Sequence, residues 1–501
     1  MNILVATGHL AEQTVRLAVR SKADVLVIDT DVAAFITPRK LLNAIQAQQA
    51  PGDLSGNSPD NYDIIFVPGL VSGNFSNVEK ELGCKIYLGP KHAYDLEYVV
   101  SFAGKLEFST TIPACELLIN VRRGIALDTV HRIETNANAL MHIGQMKLGG
   151  GTRMKVMAEV VDATGLDRQE LSGRIRSFIK KGADIIDLGA SLSATPDDVE
   201  NAIRTARKVS PVPISIDTLD PELLTRALDT GVDIVLSLNS SNIGEIGRKV
   251  ANTGATAVVI PDTGAGVESL VENIKTVQDI GISRIIADPV LDPIGHGIAG
   301  SIVRYYEFNR QFPEIPLFFG VGNVTELIDV DSTGVNAAFC GIAADVGASI
   351  LFTPEYSNKA QGSIRELKTA SEMMVLSKER NSSPKDIGID LLVIKEKRRR
   401  EDVTIPTGAI DAKVAGMWRL DPAGCVKIEI SPDISNGAGG RIIAIHKDAC
   451  IVGENAGEVL DTVISMGLVS TLEHAGYLGR ELKKAELALQ FNRSYAQDDD
   501  F

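Results

Sequence analysis

The sequence predicts an α/β protein, a central (β/α)8 TIM barrel flanked by an N-terminal Rossmann-like α/β domain and a C-terminal α+β domain. Three observations carry that expectation. Strand-like and helix-like segments alternate eight times between Lys155 and Ser377, in about 225 residues, the usual size of such a barrel. Aromatic residues are only 5% of the chain, while Gly, Ala, Ile and Val abound, the composition of parallel strands covered by helices. At roughly 150 residues per domain, a chain of 501 also has room for a flanking domain on each side.

Residues 1–145 open with NILVATG (Asn2 to Gly8), a helix over Gln13 to Arg20, ADVLVIDT (Ala23 to Thr30), a helix over Arg39 to Gln48, and YDIIFVPG (Tyr62 to Gly69). The turns hold Gly8, Gly69, Gly73 and Gly89 but neither GxGxxG nor GxxxxGK[ST], so no specific nucleotide site is indicated. Four glycines and no periodicity in Gly144 to Thr152 (GQMKLGGGT) read as a linker into the next domain.

The barrel is expected over 152–380. Its strands are Lys155 to Val161, Ala183 to Gly189, Pro213 to Thr218, Asp233 to Leu238, Ala255 to Pro261, Ser283 to Pro289, Pro316 to Val321 and Ala348 to Thr353. The clearest helices are Arg168 to Lys181, Asp197 to Lys208, Pro221 to Leu228, Gly266 to Ile280 and Gly362 to Ser377. A charged connector follows, with the run Lys395 to Arg400 read as solvated. The third domain, 400–501, has strands Val426 to Ile430 and Ile442 to His446, helices over Gly457 to Ser465 and Leu478 to Leu489, a flexible loop at Ser435 to Arg441 and a frayed tail from Gln497.

Composition excludes several function classes. Fifty Lys and Arg against 65 Asp and Glu give a net charge of -15, the wrong sign for a phosphate backbone or an anionic membrane. No apolar stretch reaches the roughly 18 residues of a membrane span, and the opening MNILVATGHLAEQ has no basic segment and no long apolar core. No nucleic acid, no membrane and a cytoplasmic location are expected. The five cysteines lack any CxxC pair, which fits a reducing compartment without a disulfide framework.

Chemistry in such a barrel sits at the carboxyl ends of the strands. Those ends carry Glu159 and Asp162, then Asp187, Asp217, Asn239, Asp262, Asp288 and Asn323, whereas the last strand offers only Thr353 and Glu355. Carboxylates and amides without lysine, arginine or cysteine suit a donor-rich heterocycle better than a phosphate. A carboxylate accepts two parallel N–H bonds from a 2-amino-4-oxopyrimidine edge, as it does from an arginine fork. Asp217 or Asp288 could serve. The alternatives are helix capping, as for Asp197 and Asp220, or metal binding.

His296 lies in the loop after strand 6, within reach of a ligand or without a role. His9, His92 and His131 have no acid partner at a catalytic spacing, and Cys340 reads as a buried, inert thiol. His474, Tyr477 and Glu481 share one side of a helix. They read as packing against the barrel, with a ligand or metal site as the alternative, and no metal-ligand set is assigned.

The stretches GADIIDLGAS at Gly182, PVPISIDTLDPELLTRALDTGVDIV at Pro211, IIADPV at Ile285 and PLFFGVGNVTEL at Pro316 resemble the pterin-binding barrels, which include dihydropteroate synthase and methyltetrahydrofolate methyltransferases. Over nearly its whole length the chain is similar to archaeal dihydropteroate synthase-related proteins, associated with tetrahydromethanopterin-type one-carbon metabolism. GPKHAYDL at Gly89, DPAGCVKI at Asp421, HAGYLGRELKKAELAL at His474 and YAQD at Tyr495 carry that likeness.

The resemblance implies a reduced pterin as ligand. Asp217 and Asp288 would accept its ring edge and Asn239 would touch the ring, with Asp187 and Asp262 completing the pocket. Glu159 and Asn323 become the catalytic candidates and His296 a further ligand contact. Dimers are common among these barrels, so a homodimer is expected.

Where dihydropteroate synthases place serine-arginine-lysine after strand 7 and arginine-x-histidine on strand 8, this chain has Gly322, Asn323, Val324 and Phe352, Thr353, Pro354. Glu159 replaces the strand-1 asparagine, and Ser193 and Ala194 replace the Thr-Arg after strand 2. Each loss removes a donor or charge aimed at a leaving group, worth roughly 3 kcal/mol of barrier. GVGNVTE instead resembles the methyltransferase turn, in which an asparagine binds the pterin N5. Three readings follow: condensation of an activated dihydropterin with an arylamine, with Lys359, Arg365 or another domain supplying the missing charge; methyl transfer from a methyl-tetrahydropterin to a corrinoid protein or thiol; and pterin binding without catalysis.

Overall fold

The structure, a computed structural model, describes residues 1–47, 62–395, 405, 407–413, 419–431 and 440–499. The chain falls into two compact units, Met1–His131 with Asp386–Ile389, and Arg132–Lys385 with Asp390–Phe501.

The first unit alternates β1 (Ile3–Thr7), α1 (Glu12–Val19), β2 (Asp24–Val27), α2 (Pro38–Ala47), β3 (Ile64–Val67), α3 (Ser76–Leu82), β4 (Lys85–Leu88) and α4 (Leu96–Phe102), and α5 (Ala114–Asn136) leads out of it. The strands are parallel in the order β2-β1-β3-β4. Side chains alternate across the sheet. Leu4, Ala6, Ile65 and Val67 join one core, and Ile3, Val5, Ile64 and Phe66 join the other. This is why these strands read as continuous apolar runs. The fourth strand, KIYL, has only three apolar residues and was not anticipated.

The second unit begins with an antiparallel hairpin, β5 (Met141–Ile143) and β6 (Met146–Leu148). It occupies the segment expected to be a linker. Ile143 and Leu148 are buried in the same cluster as Met157, Ile185, Ile234, Val258, Ile286, Phe318 and Ile350 from the barrel interior, and Arg284, just before its strand, donates to the His142 carbonyl. The hairpin therefore closes the amino end of the barrel. Its glycines serve geometry rather than flexibility. Gly150 sits at φ +64°, and a Cβ there would lie 1.8 Å from the Asn138 carbonyl oxygen.

All eight expected barrel strands form: β7 (Lys155–Val160), β8 (Ile185–Gly189), β9 (Ile214–Asp217), β10 (Ile234–Leu238), β11 (Thr256–Val259), β12 (Ile285–Ala287), β13 (Leu317–Phe319) and β14 (Ala348–Thr353). They pair in parallel, and β14 closes on β7. Around them run α6 (Arg168–Lys181), α7 (Pro196–Val209), α8 (Pro221–Thr230), α9 (Ile243–Thr253), α10 (Val267–Ile280), α11 (Ile298–Gln311), the single turn α12 (Gly322–Thr325), α13 (Ser332–Asp345) and α14 (Ser363–Arg380). Outward residues such as Val156, Ala158, Ile186 and Leu188 pack under the helices. Asp220 caps α8 as expected. At α7 the cap is Thr195, in a reciprocal capping box with Asp198 rather than Asp197.

The C-terminal portion is an antiparallel sheet, β15 (Lys427–Ser431), β16 (Arg441–His446) and β17 (Ala449–Gly453), with α15 (Ala456–Ser465) and α16 (Leu472–Gln490) packed on it through Ile428, Ile442, Val459, Leu478 and Leu482. The tail is not frayed at Gln497, whose amide donates to Val426 O at 3.2 Å and accepts from Ile428 N at 2.9 Å. Most of Lys395 to Arg400 and of Ser435 to Arg441 lies outside the described residues. Among the described residues no helix is long and apolar enough to cross a membrane.

Candidate functional site

Pleat and register turn one set of acids inward. Glu159 and Asp187 are directly paired positions on β7 and β8, and Asp187 is paired with Ser215 on β9. Two residues further along β9, Asp217 faces the same way, since strand side chains repeat with period two. One carboxylate oxygen from each of Glu159, Asp187 and Asp217 lies within 4.8 Å of the other two. Asp187 is the deepest, with no exposed surface, and accepts a short hydrogen bond from the Ser215 hydroxyl on Oδ1. Its Oδ2 is buried without a partner. A ligand at the mouth therefore meets Glu159 and Asp217, both partly exposed, before Asp187.

Three acids this close cannot all ionise independently. Burial, then the charges of Asp217, Asp162 and Glu326, push Glu159 up to about 7. Burial pushes Asp217 up to about 6, and burial together with Asp217 and Glu159 raises Asp187 well above the carboxylate range. Glu159 thus exchanges a proton near neutrality, the property a general acid or base needs.

Asp288 follows β12 and is partly buried. Tyr305, on the buried face of α11, donates its hydroxyl to Asp288 Oδ1 at 2.5 Å, and Val290 N donates to the same oxygen at 2.8 Å. Burial raises Asp288 to about 6 against these two donors. Arg304, the neighbour of Tyr305, donates to the Val290 carbonyl at 2.9 Å and to Asp292 at 2.8 Å. The site therefore has a cation after all. It comes from a helix rather than a strand end, where no local pattern marks it. Tyr305 was missed too. Its only signal is the spacing Ser301, Tyr305, Phe308, all buried at i, i+4 and i+7.

The other expected residues are placed as follows. Asn239 is 5% exposed, and its Oδ1 accepts from Ser241 N at 3.0 Å and from the Ser241 hydroxyl at 2.5 Å. Asp262 is held by Ser240 N at 3.0 Å and Asn273 Nδ2 at 3.1 Å, which keep it below the usual carboxylate range. It ties the loop after β10 to the end of β11. Asn323 is exposed on α12, with Nδ2 donating to Leu291 O at 2.9 Å. His296 is exposed and meets only its own loop, 3.4 Å from Ile294 O. Glu355 turns away to pair with Lys181 and to accept from Ile364 N, and Lys359 pairs with Asp329 at 2.7 Å.

Near the C terminus, His474 and Glu481 bond within the C-terminal portion rather than to the barrel. His474 Nδ1 lies 2.9 Å from Asp421, which also accepts from Ser470 N at 2.8 Å and Ala423 N at 2.9 Å. Glu481 accepts from Tyr495 at 2.9 Å and pairs with Lys484 at 2.7 Å. Cys340 is fully buried and pushed up to about 12 by that burial, an inert thiol. His9 does have an acid nearby, Asp29 at 3.4 Å, and both are exposed.

Residues 162–353 match the family described as "Pterin binding enzyme", and 420–498 match the one described as PterinBD-DUF4346. The chain belongs to the pterin-binding, dihydropteroate synthase-like family. An uncharacterized protein of Methanocaldococcus jannaschii is 38% identical over 527 aligned positions, spanning 100% of this chain and 99% of that protein. Among solved structures, Yersinia pestis dihydropteroate synthase with a pterine-sulfa conjugate is 19% identical, with a TM-score of 0.38 over 48% of this chain and 99% of its own. The Thermus thermophilus dihydropteroate synthase is 19% identical, with a TM-score of 0.36 over 44% and 93%.

Proposed function

We propose that the carboxyl mouth of the barrel binds a reduced pterin and transfers a group to or from it. Asp288 and Asp217 accept the N–H groups of the pyrimidine edge, and Asn239 and Asp262 border the ring. Asp187 supports Asp217 from below. The observation that supports this reading best is Asp288 in its Tyr305 and Val290 clamp: a carboxylate fixed in orientation, with one oxygen engaged by the protein and the other available to a ligand.

The reaction we favour is condensation of an activated dihydropterin with an arylamine, within tetrahydromethanopterin- or folate-type one-carbon metabolism. The amine attacks the pterin methylene, the C–O bond to the leaving group breaks, and Glu159, titrating near 7, takes the amine proton. A second reading, methyl transfer to a corrinoid protein or a thiol, is favoured by Asn323. Its amide nitrogen is spent on Leu291 O, which leaves its oxygen as an acceptor for a protonated ring nitrogen. Carriage of a pterin without chemistry would use the same pocket, with His296 reaching the ligand by loop movement. We further propose a cytoplasmic homodimer.

Calorimetric titration with dihydropterin, its pyrophosphate and a methyl-tetrahydropterin tests the pocket. Micromolar binding that Asp288→Asn abolishes supports it, and absence of binding to all three overturns it. Product formed from dihydropterin pyrophosphate and an arylamine selects condensation, whereas demethylation of the methyl-pterin in the presence of a cobalamin selects methyl transfer.

A further inference from the structure

We propose that the N-terminal unit carries a binding site of its own, beyond the carboxyl ends of β1 and β3, for a short-chain monocarboxylate. The strand order β2-β1-β3-β4 takes the chain from β1 toward one edge of the sheet and then back past it to β3. The connecting helices lie on opposite faces. Val15 and Val19 of α1 pack with Val5 and Phe66, whereas Leu41 and Ile45 of α2 pack with Leu4 and Ile65. Connections that part in this way leave a crevice outside the strand ends, which is where open parallel sheets take ligands. A cavity of about 90 Å3 lies at that point.

Its size and lining select the ligand. Pockets for nucleotide-sized ligands start at about 300 Å3, so neither a nucleotide nor a pterin fits. An apolar cavity of about 150 Å3 takes benzene, which leaves room here for about four carbon-sized atoms. Val5, Val15, Phe66 and Leu96 supply apolar walls, and the polar side chains of the lining are Thr7 and Lys91.

Thr7 is the second observation. It lies two residues after Val5 on β1 and so faces the same side of the sheet. The residue is 2% exposed, and among the described residues its hydroxyl reaches only the carbonyl of its neighbour Gly8, at 3.4 Å. That is longer than the roughly 2.5–3.0 Å of an ordinary O–H···O bond, although buried hydroxyls are normally satisfied. The hydroxyl is therefore available to a ligand carboxylate. Lys91 adds the opposite charge. Its ammonium lies 2.6 Å from Glu116 at the surface, and an exposed pair of this kind is worth little, so the lysine exchanges that partner for a ligand at small cost. Lys91 belongs to GPKHAYDL, a segment that the barrel chemistry leaves without a role. Gly89, which opens it, fixes the wall: its N–H donates to Val67 O at 2.6 Å, and a Cβ there would lie 2.9 Å from the same oxygen. The site shares no residue with the barrel mouth, so it stands or falls apart from the pterin reading.

The test is titration of full-length protein with sodium isobutyrate in a buffer free of phosphate and carboxylates, followed by saturation-transfer NMR and calorimetry. One saturable site per chain is expected. Lys91→Gln should weaken it at least tenfold and Thr7→Val, which keeps the side-chain shape, severalfold. Glu116→Gln should tighten it severalfold by releasing Lys91, and Lys22→Gln, which removes an exposed lysine elsewhere, should leave it unchanged. Isobutyramide, the neutral isostere, should bind at least tenfold more weakly than isobutyrate, and inorganic phosphate, which has no apolar body, likewise. Thermal melts of each variant confirm that it is folded. Absence of a saturable isobutyrate site in the wild type overturns the proposal. So does wild-type affinity in both Lys91→Gln and Thr7→Val, or binding of isobutyramide or phosphate as tight as that of isobutyrate.

Discussion

Tyr305 reaches from α11 through the barrel wall to donate its hydroxyl to Asp288 Oδ1, 2.5 Å away. The bond stabilises the ionised form of an acid that burial has raised to about 6. Tyr305→Phe should therefore raise Asp288 further. If the ionised carboxylate accepts the pterin edge, wild-type affinity falls as pH drops through about 6, and in the variant that fall moves to higher pH. Stability should drop by about 1–3 kcal/mol. A pH series of pterin titrations, with urea melts of both proteins, checks the two effects.

The acid cluster makes the protein less stable as pH rises. Glu159 and Asp217 have folded pKa values of about 7 and 6, above their unfolded values. The native state binds more protons than the unfolded state across that interval, so unfolding free energy declines from about pH 4 to pH 7 and levels off beyond. Glu159→Gln should flatten the decline and stabilise the protein at pH 8 by about 1–3 kcal/mol. Urea midpoints between pH 5 and 8 measure this, and a profile in the variant as steep as in the wild type contradicts it.

At the other end of the barrel, Arg153 donates to Asp184 at 2.6 Å, and Asp184 also accepts from Val156 N at 2.8 Å. Burial opposes the charge on Asp184, yet Arg153 and Lys368 hold it below its usual range. Asp184→Ala strands a guanidinium with only 7% side-chain exposure and should cost about 3–5 kcal/mol. Because the pair lies at the amino end of the strands, ligand affinity at the mouth should be retained in the folded fraction.

Leu148 is fully buried in the interior cluster that the hairpin seals. Leu148→Ala should cost about 2–5 kcal/mol, whereas Leu472→Ala, at an 89% exposed position, should change stability by less than about 0.5 kcal/mol. Equal urea midpoints for the two variants would show that the hairpin is a passive linker.

The barrel was legible because its signal is local. Apolar runs such as VMAEV, IIDLG and IVLSL, bounded by turn residues and spaced by amphipathic helices, state the period of each element within a few residues. The glycine-rich GQMKLGGGT was misread for the converse reason. Composition does not distinguish glycines that permit motion from those at Gly149, Gly150 and Gly151, which hold positive φ in a fixed turn. Strands β4 and β17 were missed because each is a run of only four or five residues, and pairing with a neighbour completes them.

The same division holds at the site. Sequence alone determined that the strand ends carry acids and amides, since each lies at the end of its own apolar run. It did not decide which acids meet. Glu159, Asp187 and Asp217 converge because β7, β8 and β9 are neighbours in one parallel register, whereas Asp262 is bonded to Ser240 and Asn273. Proton affinity depends on desolvation and on charges brought through space from distant segments. It has no set value until the barrel closes and sets Tyr305, Ser215 and the three acids against one another.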